Sequence, residues 1–201
     1  GHVSAGDDTV TPVVPPSGTF AGDFATSGTL KFSSTATQTL SGDITGTGSL
    51  VQAGTGKTVL IGSGNTYSGS TTITAGTLQV GDGTTNKGSF GGGGALTNDG
   101  TLIFNTPATG NNPVVIDVSI QGEGDLEKAG AGVVQLTGNN TYIGTTTISG
   151  GTLEIGSGGT TGTIGRGDIS IANGAILSTN RTTGFSITAN ISGEGGFVKK
   201  G

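Results

Sequence analysis

One histidine, no cysteine and thirteen carboxylates are the groups from which this chain could build a conventional active site. The histidine is His2, at the very start, so a nucleophile elsewhere has no imidazole base. Without cysteine there is no thiol nucleophile and no thiolate zinc site. Carboxylates remain. Acids about 5 Å apart on neighbouring strands would suit glycoside cleavage, and Asp99, Asp117, Glu123, Asp125, Glu127 and Glu154 are the candidates. Asp99 stands in a turn, Asn98-Asp99-Gly100. Glu127 and Glu154 fall at outward positions of alternating strands, where acids are ordinarily solvated. Gly122-Glu123-Gly124-Asp125 has the composition of a calcium loop, but it does not recur in tandem, and Ca2+ needs about six to eight oxygens. The expectation is no catalytic residue, no metal and no cofactor.

The remaining chemical motif is Arg166-Gly167-Asp168. It sets a guanidinium and a carboxylate on either side of a glycine that lets the chain bend. The tripeptide resembles the integrin-binding sequence of some adhesins, and an exposed turn over 162–167, ahead of the strand-like Ile169-Ser170-Ile171, would present it. Against that reading, the matching place one unit earlier is Gly92-Gly93-Gly94, and a corner calls for Gly-Asp anyway.

These groups must be positioned by short strands. The 201 residues include 43 glycines, without the three-residue period of collagen. The apolar residues gather in β-branched runs such as Val59-Leu60-Ile61 and Val114-Val115-Ile116, bounded by Gly, Asn and Thr. Alternation such as Leu153 in, Glu154 out, Ile155 in gives each strand one core face. No stretch has a 3.6-residue apolar period, so almost no helix is expected. The formal charge of −5, with no basic block beyond Lys199-Lys200, argues against nucleic acid, and no apolar run is long enough to insert in a membrane.

The chain repeats itself. Gly46 to Gly81 recurs as Gly122 to Gly156, and a third copy begins at Gly193. Gly48, Gly54 and Leu60 recur as Gly124, Gly130 and Leu136; the spacing then shortens by one, so that Tyr67 and Leu78 recur as Tyr142 and Leu153. Within each copy Asn65-Thr66-Tyr67 matches Asn140-Thr141-Tyr142, and Gly76-Thr77-Leu78 matches Gly151-Thr152-Leu153. Asn suits a left-handed corner, and a tyrosine there would cover the core edge with its hydroxyl in water; a sugar-stacking tyrosine is the sharper alternative. A long-range repeat of short strands predicts an all-β, right-handed parallel β-helix, with about three strands per coil. At roughly 20 to 25 residues per coil it should have about seven coils. Residues 1–18, which hold three of the five prolines, read as a linker with Gly1-His2 a cloning remnant, and 19–201 as the β-helix. No signal peptide is visible at Gly1-His2-Val3, and the incomplete third copy suggests a piece of a longer protein.

The run from Gly122 to Gly156 resembles the passenger-associated transport repeat, also called the autotransporter-associated β-strand repeat. The first copy departs from it at Gln52, where copies two and three have Lys128 and Lys199. The resemblance implies the passenger of a type V secreted autotransporter of a Gram-negative bacterium. Such a passenger is exported through its own outer-membrane translocation barrel and displayed at, or released from, the cell surface. The expected role is a structural stalk that aids export and folding and presents distal regions. The first alternative is an adhesin module contacting a host receptor or glycan, through Arg166 to Asp168 or the threonine-rich strands. The second is a polysaccharide-active enzyme.

Overall fold

The computed structural model describes residues 3–5, 18–84, 88–91, 93–108 and 113–200. Among them are 22 strands, paired in parallel, and no helix. Each strand hydrogen-bonds to the one a coil earlier and a coil later. The advance per coil varies, from as short as Val133 to Thr152 to as long as Thr71 to Leu96. This is the stacked, parallel β-helix that the repeat predicted.

A coil crosses three faces. Face I is a sheet of nine strands, from Gly18–Phe20 up to Ile191–Gly193. Face II begins with Phe24–Thr26 and Ile44–Thr45 and resumes with Val114–Ile116, Val133–Leu136, Thr152–Gly159, Ile176–Arg181 and Gly196–Lys200. Face III carries Thr29–Phe32, Ser49–Gln52, Thr71–Ile73, Leu96–Asn98 and Ile120–Gln121. The long sheet has nine strands where about seven coils were expected. Stacking begins as early as Gly18, and the first coils are short, with Gly18 stacked under Gln38 and Gln38 under Thr58. Val3–Ala5, inside the stretch read as linker, pairs with Phe24–Thr26. Residues 1–2 and 6–17 of that stretch, His2 included, lie outside the described residues.

Alternation puts every second side chain into the tube. On face I the inward column runs Leu40, Leu60, Val80, Phe104, Lys128, Ile148, Ile171. On face III it runs Phe32, Gln52, Ile73, Asn98. On face II it runs Ile116, Leu136, Ile155, Thr179, Lys199. All the hydrophobic members of these columns are buried. Corners are tight: Gly76 and Gly151, with φ of +66° and +63°, each lead into a Thr-Leu that opens the next strand. A side chain there would be strained and would also meet backbone of the coil below.

The three columns hold one motif position three times. From Gln52 the chain makes three coils, through Ile73, Asn98 and the Gly122 turn above it, then passes one corner and reaches Lys128 on face I. From Lys128 it makes three more, through Ile148, Ile171 and Gly193, then reaches Lys199 one corner on. One sequence repeat is therefore three coils and a third, and successive copies are turned by one face.

Copies one and two each carry a short excursion that widens one coil. It lies between Gly81 and Gly88 in copy one and between Gly156 and Gly162 in copy two, where Gly159 still pairs with Arg181 of the coil above. A Cβ on the returning glycine would lie 2.5 Å and 2.7 Å from the departing glycine's nitrogen, so the neck closes. Residues 85–87 of the first excursion lie outside the described residues.

Candidate functional site

The Asn-Thr-Tyr motif occupies the gaps in the ladder. On face II residues 64–67 cross above Ile44, and on face III residues 139–142 cross above Ile120. Asn65 and Asn140 do not take the left-handed conformation expected for them; no described non-glycine residue has positive φ. The amide turns inward instead. Asn140 Oδ1 accepts from the Ile120 N–H at 2.9 Å, in the coil below, and Nδ2 donates to the Thr163 carbonyl at 2.6 Å, in the coil above. Asn65 repeats this with Ile44 N–H (2.7 Å) and the Ser89 carbonyl (2.8 Å). Both amides are buried. Each ties three coils together and satisfies two backbone groups that no strand partner reaches.

Tyr67 and Tyr142 are wholly buried, so neither covers the core edge with a hydroxyl in water and neither presents a ring face to a sugar. Their hydroxyls bond Thr71 Oγ1 at 2.6 Å and Thr146 Oγ1 at 2.8 Å. Thr66 and Thr141 join the backbone ladder, donating to Ile44 and Ile120. The ring leaves no room above: a Cβ on Gly165 would lie 2.3 Å from Tyr142 Cε2. Burial pushes the Tyr142 phenol up to about 12, although the bonds to Thr146 and the Gly165 backbone lower it; Tyr67 is raised for the same reason.

Lys128 and Gln52 have a role that the sequence did not reveal. Lys128 has no solvent exposure, and its ammonium donates to the carbonyls of Ala129 (2.7 Å), Gly130 (2.9 Å) and Gly150 (3.1 Å). Gln52 does the same in copy one, donating to Gly54 and Gly56 while Thr58 Oγ1 donates to its Oε1. The inward parity of Leu126 and Lys128 was the available signal. Desolvation lowers the Lys128 pKa to about 8.

These groups give the pH profile two limbs. Lys128 binds its proton less tightly folded than unfolded, so from about pH 8 to 10.5 the unfolded chain holds more protons and stability rises with pH. Tyr142 binds its proton more tightly when folded. Its contribution is complete below pH 10 and is lost as pH climbs towards 12. Denaturant unfolding at about pH 7, 9.5 and 11.5 is expected to show the greatest stability at the middle value. Lys128→Gln should flatten the lower limb and Tyr142→Phe should weaken the upper one; a flat profile in the parent protein would refute both assignments.

The carboxylates are dispersed. Glu154 is buried rather than outward in solvent. It does stand on the outer side of its strand, but Gln135 and Ser178 flank it in register and Asn180 and Lys200 reach across to it. Lys200 Nζ lies 2.6 Å from Oε2. Burial pushes this carboxyl up, but the hydrogen bonds from Lys200, Asn180 and Gln135, with the Lys200 charge, outweigh it and leave it below its usual value. Glu127 lies between Ile103 and Thr147 and accepts from Ser149 Oγ at 2.7 Å. Neither glutamate has a carboxylate as its ladder neighbour. Asp99 accepts from the Glu123 N–H and Asp125 from Thr145, each one coil on, while Asp117 is exposed. No cluster of three or more metal-ligating side chains occurs among the described residues.

Arg166, Gly167 and Asp168 make separate contacts. Gly167 lies flat on the coil below, where a Cβ would come 2.1 Å from the Gly144 carbonyl oxygen. Asp168 Oδ1 accepts from the Asn190 side chain at 3.0 Å and its N–H at 3.3 Å, one coil above. That is the same upward corner bond made by Asp23 to Asp43, Asp43 to Gly64 and Asp125 to Thr145. Arg166 is exposed and opens onto a separate cleft. Of the matching glycines one unit earlier, Gly92 lies outside the described residues.

Comparison with known proteins agrees with this anatomy. The family model of the passenger-associated-transport-repeat matches residues 50–80 and 126–155. The adhesin BmaC autotransporter of Brucella suis biovar 1 (strain 1330) is 37% identical over 97 residues, which is 47% of this chain and 3% of that protein. No solved structure matches the chain. Two matched repeats, a coil-stacked fold and this similarity make the chain similar to the autotransporter passengers that carry passenger-associated transport repeats.

Proposed function

We propose that this stretch is a non-enzymatic stalk, whose coil-by-coil stacking aids export through the protein's own outer-membrane barrel and whose finished rod carries distal regions away from the cell. One observation carries the reading: the repeat's distinctive polar side chains are used between and within coils. Asn65, Asn140, Gln52 and Lys128 all face inward onto backbone, and both tyrosines are buried against threonines. A side chain meant for substrate or receptor would point outward. Stacking one coil on the last closes a hydrogen-bond ladder and covers a core layer, so the free energy released favours continued outward movement. The dispersed carboxylates support the absence of catalysis.

The test is to excise residues 53–128 from the parent autotransporter, which joins Gln52 to Ala129 and keeps the repeat register. Surface display, read by protease accessibility on intact cells, is expected to fall several-fold. Undiminished display would overturn the proposal. The similarity to a protein named an adhesin favours a second, compatible role, in which a surface of the rod contacts a host receptor or glycan.

A further inference from the structure

We propose that the cleft on face III, beside the second Asn-Thr-Tyr motif, binds an acidic saccharide. The cleft measures about 320 Å³ and spans three coils, with Asn139 and Thr141 below, Thr163 and Arg166 in the middle and Phe185 and Thr188 above. Its outward groups are hydroxyls, an amide and one exposed guanidinium, a set that matches sugar alcohols and a single carboxylate or sulfate. Phe185, half-buried against the core, forms part of the upper wall. Its ring is held in place: the Arg181 guanidinium lies 4.7 Å from the ring centroid and is itself bound to the Thr160 and Gly162 carbonyls.

A peptide ligand fits less well. The backbone of the two lower coils is already committed, with Thr141 N–H donating to Ile120 and Arg166 N–H to Tyr142, which leaves less of it for an added strand. Asp168 does not line the cleft; its Oδ1 accepts from Asn190.

The first repeat supplies an internal comparison. At the equivalent place Ser89, Phe90 and Gly91 meet the segment from Val114 to Val118 around a smaller cleft of about 100 Å³. Its neighbours are mostly apolar, and no cation lines it. The cleft is thus a product of the repeat, and its charge belongs to the second copy.

This inference rests on the adhesive reading above, but the two can fail separately: host cells attaching through other parts of the rod would leave that reading intact and this site refuted. The experiment is an NMR titration of the 15N-labelled chain with sialyllactose, a heparin-derived disaccharide, lactose and a tetraglutamate peptide. At least one acidic sugar is expected to shift the amides of Thr141, Arg166 and Thr188, and the one that does so identifies carboxylate or sulfate as the preferred anion. Lactose should bind at least about tenfold more weakly, and Arg166→Ala should lose about tenfold or more, from the loss of a charge-assisted hydrogen bond. Arg166→Lys should restore part of the affinity, and Lys31→Ala, distant on the same face, should change nothing. Equal binding of lactose, full binding by a folded Arg166→Ala protein, equal or better binding of the peptide, or no shift with either acidic sugar would each overturn the proposal.

Discussion

Lys128→Met is expected to lower the unfolding free energy by about 3 kcal/mol. The thioether fills much the same volume, so the change is chemical rather than steric. It leaves the Gly130 and Gly150 carbonyls without this donor, while the Ala129 carbonyl keeps the Thr106 N–H at 3.3 Å. Each part-buried acceptor left unpaired costs about 1 to 3 kcal/mol, offset in part because an ammonium no longer has to be desolvated. The protein contains its own alternative. In copy one Gln52 reaches two carbonyls, and its oxygen is satisfied by Thr58. The residue equivalent to Thr58 in copy two is Val134. Lys128→Gln alone should therefore be destabilised, with its side-chain oxygen unpaired. Adding Val134→Thr should recover about 1 kcal/mol beyond additivity. Equilibrium denaturation of the four proteins closes the cycle. A Lys128→Met protein as stable as the parent would mean that the ammonium contributes nothing net.

Asn140→Ala should cost a similar amount, about 3 kcal/mol, or roughly 6–12 °C in Tm for a chain of this length. It strands the Ile120 N–H and the Thr163 carbonyl in the one part of face III where no strand pairing replaces them. Asn140→Asp separates the two halves of the clamp. It keeps an acceptor for Ile120 but turns a carboxylate oxygen towards the Thr163 carbonyl, so it should be at least as damaging as alanine. In a stack the damage should stay local. Hydrogen exchange is expected to quicken around 120–122, 139–142 and 163–166 while coils near Leu30 and Leu50 keep their protection. Uniform loss of protection, or none, would show that the clamp does not act between these coils.

How far the sequence could be read depends on which neighbours decide each outcome. The parity of Leu153 and Ile155 and the spacing of the glycine corners are local, and both were legible. Burial of Glu154 was not. It is settled by Gln135, Ser178, Asn180 and Lys200, the last of them two coils up. The tripeptide at Arg166 was legible as composition but not as geometry, because adjacency in sequence does not tell which coil a side chain reaches. Asp168 goes up to Asn190 and Arg166 goes sideways into a cleft. Tyr67 and Tyr142 were placed at the core edge from motif position alone, yet the volume above each ring is reserved by a glycine one coil on. The coil count erred because short advances such as Gly18 to Gln38 coexist with long ones such as Thr71 to Leu96, which accommodate an excursion.

The third of a coil left over in each repeat has a mechanical consequence. Were the period a whole number of coils, every buried lysine or glutamine, every ladder gap and every excursion would lie along one side. Small differences in coil width would then add up with each copy, and the rod would bow. Turning each copy by one face spreads these irregularities around the axis, and three copies complete the circuit. A run of such units is expected to stay straight and to bend equally easily in every direction. It would also have no front or back: whichever way the rod rolls against a neighbouring surface, one unit in three offers its excursion to that side.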